Sequence, residues 1–416
     1  MDSLSRVFTR QLSTIQDQGW DWTRNCSDTE VIKPCLNHIV TGSVDCSKPA
    51  AEDSFVALPD ELLEKIFLLL PITYVYRARA VSRRWNAIIN SKRFSMVSDE
   101  RGLYGPWYFM YKESQNSEGL AYDPLARKWH NFVLPFTLPT AGPVAAFGGL
   151  VCFAENSDDY MLYLCNLMTR KLAKLPGPYE QCRSDYYAVS LNIDRVSKVQ
   201  SIVVARSSRS SNDYSEWSFS VDTCSSHSQT WKNVVNTVLY GWRGGETSVI
   251  CNGIFYCVRH STAMVGNRHD ECRLGLFYFD LQMEKLEIGT LPMPCPLTCV
   301  KLINCNGHLI MVGGIGKADV VRGIGIWELQ AEWKEISRMP HKFFRGFGEL
   351  DDVFSSSGAD DLIYIHAYGS PQLLLFNIKQ QSWRWSQKCP MVKKHPLHLF
   401  TGFCFQPSLH VAPWSN

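Results

Sequence analysis

The side chains best suited to chemistry in this chain are scattered, and few stand at a spacing that a reaction needs. Gly313 to Gly325 reads GGIGKADVVRGIG and has the glycine density of a phosphate-cradling loop. It lacks the Walker spacing and no helical pattern follows, so its glycines are read as turns. His395 and His398 stand in HPLH, where Pro396 excludes two metal ligands on one helical turn. His366 falls in an alternating stretch and is read as a core or channel residue. The 15 cysteines include no paired CxxC of zinc-site spacing. No metal, no cofactor and no catalytic residue are therefore expected. What remains is electrostatic. Arg183, Arg206, Arg209, Arg243, Arg259 and Arg268, with His260 and His269, fall in expected connections between strands. On one rim they would form a basic pocket for an acidic or phosphorylated segment of another protein. Arg183, Arg206, Arg243, Arg259 and Arg268 are the candidate contacts to such a target.

Composition narrows the classes. The chain has 416 residues, which suggests more than one folded unit. Net charge is only +2, so no nucleic-acid footprint stands out. No apolar run approaches the length that spans a bilayer, and no secretory segment is expected. Ser and Arg occur in Met1 to Arg10 as in transit peptides, but Asp2 and the short extent argue against one. Aromatic residues are high at 12%, with 13 Trp, and favour pleated, half-buried surfaces. Cys152, Cys165, Cys251, Cys257 and Cys404 lie in strand-like stretches, where a reduced thiol behaves as a small apolar group. Reduced cysteines suit the nucleus or cytoplasm.

Three regions must position these groups. Residues 1–54 lack sustained periodicity and are expected to form a disordered tail, with Trp20 and Trp22 as docking exceptions. Residues 55–97 read as helices, and residues 98–416 as short strands. In the helical stretch, Pro59 suits a first turn, and Asp60 and Glu61 complement the helix dipole. Leu62, Ile66, Leu69 and Leu70 form one apolar face, which Leu63 and Phe67 widen. Pro71 ends this helix. Thr73 is expected to cap a second helix over Tyr74 to Ala80, and Ser82 a third through Trp85 to Ile89. Under forty residues cannot bury a large core alone, so this surface needs a covering partner.

LPDELLEKIFLLLP, followed by RARAVSRRWN and a closing Phe94, resembles the F-box. The resemblance implies docking on the adaptor Skp1, and through it on a cullin-RING ubiquitin ligase. Carried across, Leu58, Pro59, Leu62, Ile66, Leu70, Val81 and Trp85 are the expected adaptor contacts, while Leu63 and Phe67 could equally hold the helices together. Seven Lys/Arg against three Asp/Glu between Phe55 and Val97 make the segment basic. That charge suits the acidic partner the resemblance implies.

Beyond residue 100 a unit recurs: an apolar strand, an acidic or amide residue, a polar turn, then an aromatic or Leu. The acidic or amide position falls at Asp123, Asn166, Asp222, Asp280, Glu328 and Asn377, spaced by about 43 to 58 residues, which is blade-sized. Cys-Asn-Gly at 251–253 and 305–307 marks hairpin turns. Gly148–Gly149 and Gly313–Gly314 are read as positions of close strand packing. Trp129, Trp231, Trp333, Trp383 and Trp385 are expected to pack blades together. This pattern resembles the kelch repeat, although the spacing is irregular and several units lack paired glycines. Some kelch propellers are copper oxidases, but that class is secreted and no export signal is seen here.

The expected fold class is α+β multidomain, a short helical F-box followed by an all-β, six-bladed kelch-type β-propeller. Five blades fall at about 143–176, 186–234, 247–290, 299–338 and 348–387. The sixth joins 105–131 to the final strand, Leu399 to Leu409, and closes the ring. As a whole the chain resembles plant F-box/kelch-repeat proteins. That implies a substrate receptor of an SCF-type ubiquitin ligase that recruits a target protein for degradation. The alternative is a propeller that senses a small molecule, or tethers a partner without degrading it.

Overall fold

The computed structural model describes residues 58–100, 104–112, 115–134, 141–155, 160–175, 184–194, 196–210, 215–262, 273–283, 288–317, 320–347, 354–367, 370–391 and 400–414. The expected tail at 1–54 lies outside them. The chain divides into two units, Met1–Tyr104 and Gly105–Asn416.

The first unit holds four helices among the described residues: α1 Asp60–Phe67, α2 Ile72–Arg79, α3 Arg83–Ile89 and α4 Lys92–Glu100. Pro59 precedes α1, with Asp60 and Glu61 in its first turn. Leu63 and Phe67, one turn apart, are fully buried, which makes them the residues that hold the helices together. Trp85 of α3 meets the edge of the Phe67 ring, centroids 5.1 Å apart. Ser82 caps α3 as expected, its Oγ accepting from the Trp85 N–H at 3.1 Å. Thr73 is not a cap. Pro71, in an extended conformation, takes the boundary position, so α2 starts at Ile72 and buries Thr73 inside its first turn. The fourth helix was not expected. Ser91 supplies its start, accepting from the Phe94 N–H at 3.1 Å.

In the second unit the described residues form six four-stranded antiparallel sheets. The first combines β1 Trp107–Lys112, β2 Gln115–Asp123 and β3 Lys128–Val133 with the last strand, β24 Phe400–Phe405. Blade two holds β4 Ala141–Phe147, β5 Leu150–Glu155, β6 Met161–Asn166 and β7 Lys171–Lys174. Blade three holds β8 Tyr186–Ile193, β9 Gln200–Arg209, β10 Glu216–Ser225 and β11 Lys232–Tyr240. Blade four holds β12 Trp242–Cys251, β13 Ile254–Ser261, β14 Leu274–Asp280 and β15 Gly289–Pro292. Blade five holds β16 Leu297–Cys305, β17 His308–Lys317, β18 Val320–Leu329 and β19 Trp333–Arg338, followed by a short helix, α5 His341–Phe347. Blade six holds β20 Phe354–Ala359, β21 Leu362–Ala367, β22 Leu374–Asn377 and β23 Ser382–Trp385.

The strands β24, β4, β8, β12, β16 and β20 neighbour one another in succession and close a ring. These are the inner strands of a six-bladed β-propeller, with the expected first-blade closure.

The repeated acidic or amide position has a local cause. Asp123 accepts from the N–H groups of Leu125 and Ala126, at 2.8 and 3.0 Å. Asn166, Asp280 and Asn377 cap their outer hairpins in the same way. Asn252–Gly253 and Asn306–Gly307 are two-residue turns with both φ angles positive. Gly148 and Gly149 also have positive φ and form such a turn, and they are close-packed as well: a Cβ on Gly149 would collide with the Ser408 Cβ. Gly313 and Gly314 are close-packed too: a Cβ on Gly314 would stand 2.8 Å from the Cys299 Sγ.

Tryptophans latch successive blades. The indole N–H of Trp333 donates to the Pro292 carbonyl at 3.0 Å, and that of Trp383 donates to the Ser337 Oγ at 3.0 Å. Trp129 donates to the Gln387 carbonyl at 2.9 Å, tying blade one to the end of blade six.

Past β24 the chain runs across blades two and three. The Asn166 amide donates to the carbonyls of Ser408 and Val411, and the Gln200 amide to that of Ala412. Trp414 then buries itself in the core shared by those blades, beside Leu150, Val189 and Val204. The Trp414→Ala variant should lose about 3 kcal/mol of stability, read as a lower urea midpoint with little change in m. An unchanged midpoint would show that the tail only lies on the surface.

His366 on β21 is a core residue, 1% exposed, with its Nε2 3.2 Å from the Ser370 carbonyl. Burial pushes it down to about 4 from an ordinary 6.5. The unfolded chain therefore binds a proton that the folded chain refuses between these values, so stability falls as pH drops from 6.5 to 4. The loss from this residue reaches about 3 kcal/mol. Urea titrations across this range should show a shallower slope in His366→Gln, and an unchanged slope would assign the pH dependence elsewhere.

Candidate functional site

Two surfaces stand out, one in each unit. On the helical module, Leu62, Leu69 and Val81 are 40%, 52% and 47% exposed. Pro59 is exposed, while Leu58, Ile66 and Trp85 are half-buried. Leu62, Ile66 and Leu69 follow i, i+4, i+7 spacing and so form one apolar stripe. The Arg84 side chain reaches back to the Asp60 Oδ1 at 2.7 Å and to the Leu58 carbonyl, which fixes α3 beside the start of α1. Leu70 departs from expectation: at 2% exposure it belongs to the core, because the chain turns at Pro71 and drives it inward. Leu69 is the exposed apolar group at that end instead. Helical spacing was the signal for it.

Arg77 and Arg79 cover tyrosines of their own helix, 5.6 Å above Tyr74 and 5.3 Å above Tyr76. Their charge stays at the surface while their stems cover rings.

On the propeller, Arg183 and Arg268 lie outside the described residues, as does His269. The other candidates sit in strands and not in loops. Arg206 is on β9, and its guanidinium meets the Asp222 carboxylate at 2.6 Å, with the two side chains 11% and 0% exposed. Asn233 donates to the other carboxylate oxygen at 2.9 Å. Arg206 is therefore an internal ion-pair residue and not a surface contact. Position along the strand is the physical reason: Arg206 lies within β9, flanked by the buried Ala205 and Ser207, whereas Arg209 is its last residue and is exposed.

Arg209, Arg243 and Arg259 come to one rim, where blades three and four adjoin. The Arg243 guanidinium lies 3.7 Å from the Tyr186 ring centre, and that of Arg259 lies 4.0 Å from Trp242 and 5.3 Å from Phe277. Arg209 stands 5.8 Å from Trp217, which itself meets Tyr186 at 5.8 Å. Arg243 pairs in register with His260, and Gly244 with Arg259. Burial, reinforced by the charge of Arg243, pushes His260 down to about 4, so it is neutral near pH 7. Below this rim the blades share a core of Ala205, Phe219, Val221, Cys257 and Phe277.

Among the described residues no group of three His, Cys, Asp or Glu could hold a metal ion, and no helix is long and apolar enough to cross a membrane. Cys152, Cys251 and Cys257 are buried and act as core residues. Burial pushes the Cys152 thiol up to about 12, away from nucleophilic use.

Comparison with known proteins finds a family model for each of the two units. An F-box domain profile matches residues 55–96, and a KIB1-4 beta-propeller profile matches residues 121–388. An F-box/kelch-repeat protein of Arabidopsis thaliana is 43% identical over 369 residues, covering 86% of this chain and 90% of that protein. SKP1-interacting partner 15 of the same plant is 23% identical over 390 residues, covering 86% of this chain and 98% of the relative. The Arabidopsis protein UNUSUAL FLORAL ORGANS is 25% identical over 365 residues, covering 80% and 78%.

The Arg206–Asp222 pair gives a direct check on which arginines are structural. Arg206→Met alone should cost about 3–5 kcal/mol, because it strands a buried carboxylate. Adding Asp222→Leu should recover most of that loss in the same denaturant titrations. Equal stability of wild type and Arg206→Met would return Arg206 to the list of surface contacts.

Proposed function

Because the chain belongs to the plant F-box/kelch-repeat family, an F-box joined to a KIB1-4 beta-propeller, we propose that it is the substrate receptor of an SCF-type ubiquitin ligase. The observation that carries this reading is the exposed apolar stripe of Leu62, Leu69 and Val81 on the module that matches the F-box. A small helical unit gains by covering such a stripe. The family relation, including a relative named for interacting with SKP1, supports Skp1 as the partner that covers it. Pro59, Leu58, Ile66 and Trp85 line the same contact, and the surrounding basic groups steer an acidic adaptor onto it.

The propeller then serves as the rigid holder of a target protein. Its contribution is proximity: it brings the target's lysines to a ubiquitin-charged enzyme recruited through the cullin-RING arm. In this reading the chain makes and breaks no covalent bond, and the target is degraded because it is held in place.

Co-expression with Skp1, followed by size-exclusion chromatography, should yield a 1:1 complex. Leu62→Asp and Val81→Asp, whose side chains are exposed, should each weaken it at least about thirtyfold, as hot-spot losses do, with the propeller still folded by near-UV circular dichroism. Undiminished complex formation by both variants would reject this face as the adaptor site.

A further inference from the structure

The outermost strand of each blade ends its sheet, and five of the six are blunted against further pairing. β7, Lys171–Lys174, has four residues with a lysine at each end. β15, Gly289–Pro292, has four and ends in proline. β23, Ser382–Trp385, has four, with Arg384 among them. β3 and β19 run to six residues, but Lys128 stands in the first, and Lys334, Glu335 and Arg338 in the second. Short length, charge and proline keep a free strand edge from recruiting another chain. β11, Lys232–Tyr240, is nine residues long and has none of these features past its first residue: NVVNTVLY carries no charge, no proline and no glycine. It pairs with β10 on one side, and among the described residues no strand lies on the other. Every second residue of such an edge turns its N–H and C=O outward. The side chains alternate as well. Val235 and Leu239 face the core shared with blade four. Asn236, Val238 and Tyr240 stand on the opposite face and are exposed, Val238 by 42% and Tyr240 by 72%.

We propose that the free edge of β11 is a docking site for an extended, uncharged segment of a target protein, which adds to blade three as a fifth strand. The segment's backbone supplies the ladder, and its β-branched or aromatic side chains cover Val238 and Tyr240. Two features select this occupant. Nine residues make an edge about 30 Å long and one strand deep. Two copies of this chain meeting along it would cover well under the roughly 1,200 Å² of a stable interface, whereas a short segment fills it end to end. The edge also carries no charge beyond Lys232, so a charged segment would lose solvation there without gaining a partner. This deepens the substrate-receptor reading and rests on it, since the segment belongs to the protein being held.

The probe is a fluorescein-labelled octapeptide of alternating Thr and Val, titrated with the full chain bound to Skp1 or alone. A saturable polarisation change is expected. The same octapeptide with its backbone amides N-methylated cannot donate to a ladder and should bind at least tenfold more weakly. Asn236→Lys and Val238→Lys place a charge at exposed positions of the edge and should each weaken binding at least tenfold. Val238→Thr keeps the β-branch and should bind as wild type does, with unchanged near-UV circular dichroism in all three variants as the check on folding. Three results would overturn the assignment: no saturable binding of the octapeptide, equal binding of its N-methylated form, or unchanged binding by Asn236→Lys and Val238→Lys. Sedimentation velocity of the chain alone supplies a fourth, because a dimer that Val238→Lys dissolves would give the edge to a second copy. Skp1 capture measured on the same samples separates the two readings. Absent peptide binding with Skp1 capture intact counts against the edge alone, and the reverse counts against the adaptor face alone.

Discussion

Everything in the larger unit depends on one pairing of strands, β24 against β1. Register runs from Trp107 opposite Phe405 to Lys112 opposite Phe400. Without it, the first blade would lack its inner strand, and the ring would end in two open edges whose N–H and C=O groups need partners. Closure also fixes geometry at a distance. Each blade meets two neighbours across an apolar interface, so no blade can rotate without disturbing both. The segment after β24 adds to this constraint. Asn166 and Gln200, from blades two and three, both hold its carbonyls, and Trp414 fills the interface between them. The last fifteen or so residues therefore bind together three blades that local turns alone would leave joined only in sequence.

A closed ring also decides where recognition can occur. Interior positions are packed with aromatic and aliphatic groups, such as Phe153, Phe403 and Phe405 near the first two blades. The rims are where strands end and side chains regain freedom. At the rim of blades three and four, position along β9 sorts the arginines: one within the strand enters an interface and must find a carboxylate, and one at its end reaches the surface. Arg206 took the first course and Arg209 the second. A charge that enters a low-dielectric interface unpaired would be costly, so the presence of Asp222 on β10 is a condition for Arg206 to be there at all. Arg243 and Arg259 reach an intermediate depth, each held against an aromatic ring.

Much of this was legible in the residues. The turn signals were local, and local chemistry survives in sequence: Asn-Gly gave hairpins at 252–253 and 306–307, and Asp123, Asn166, Asp280 and Asn377 capped their turns. The six-fold spacing followed from those marks. Leu63 and Phe67, offered as possible core residues, are core. What failed was non-local. Leu70 has the type and spacing of a contact residue, and only the direction of the chain at Pro71 buries it. The polar surroundings of Arg206, RSSRSSND, read as a turn, yet β9 runs through Arg209 in register with β10. Glycines 148–149 and 313–314 look alike in sequence and both pairs are closely packed, but one also turns the chain while the other lies within a strand. Strand length distinguishes them, and length is set by partners rather than by the pair itself. The role of Trp414 was hidden for the same reason, since nothing local announces a side chain whose cavity lies some 200 residues earlier.

The two surfaces make different physical demands, and the architecture answers each. Adaptor docking needs an apolar stripe, which a short helix can display because its remaining face is satisfied by Leu63, Phe67 and Trp85. Holding one target among many, in the receptor reading, asks for fixed donors, because orientation discriminates where net charge does not. Flexible loops supply charge with little orientation. Paired strands supply both, and the arginines that stack on Tyr186 and Trp242 come from paired strands. A closed ring with latched blades holds those strands still, so the rigidity established at β24 reaches the side chains on β12 and β13 as well.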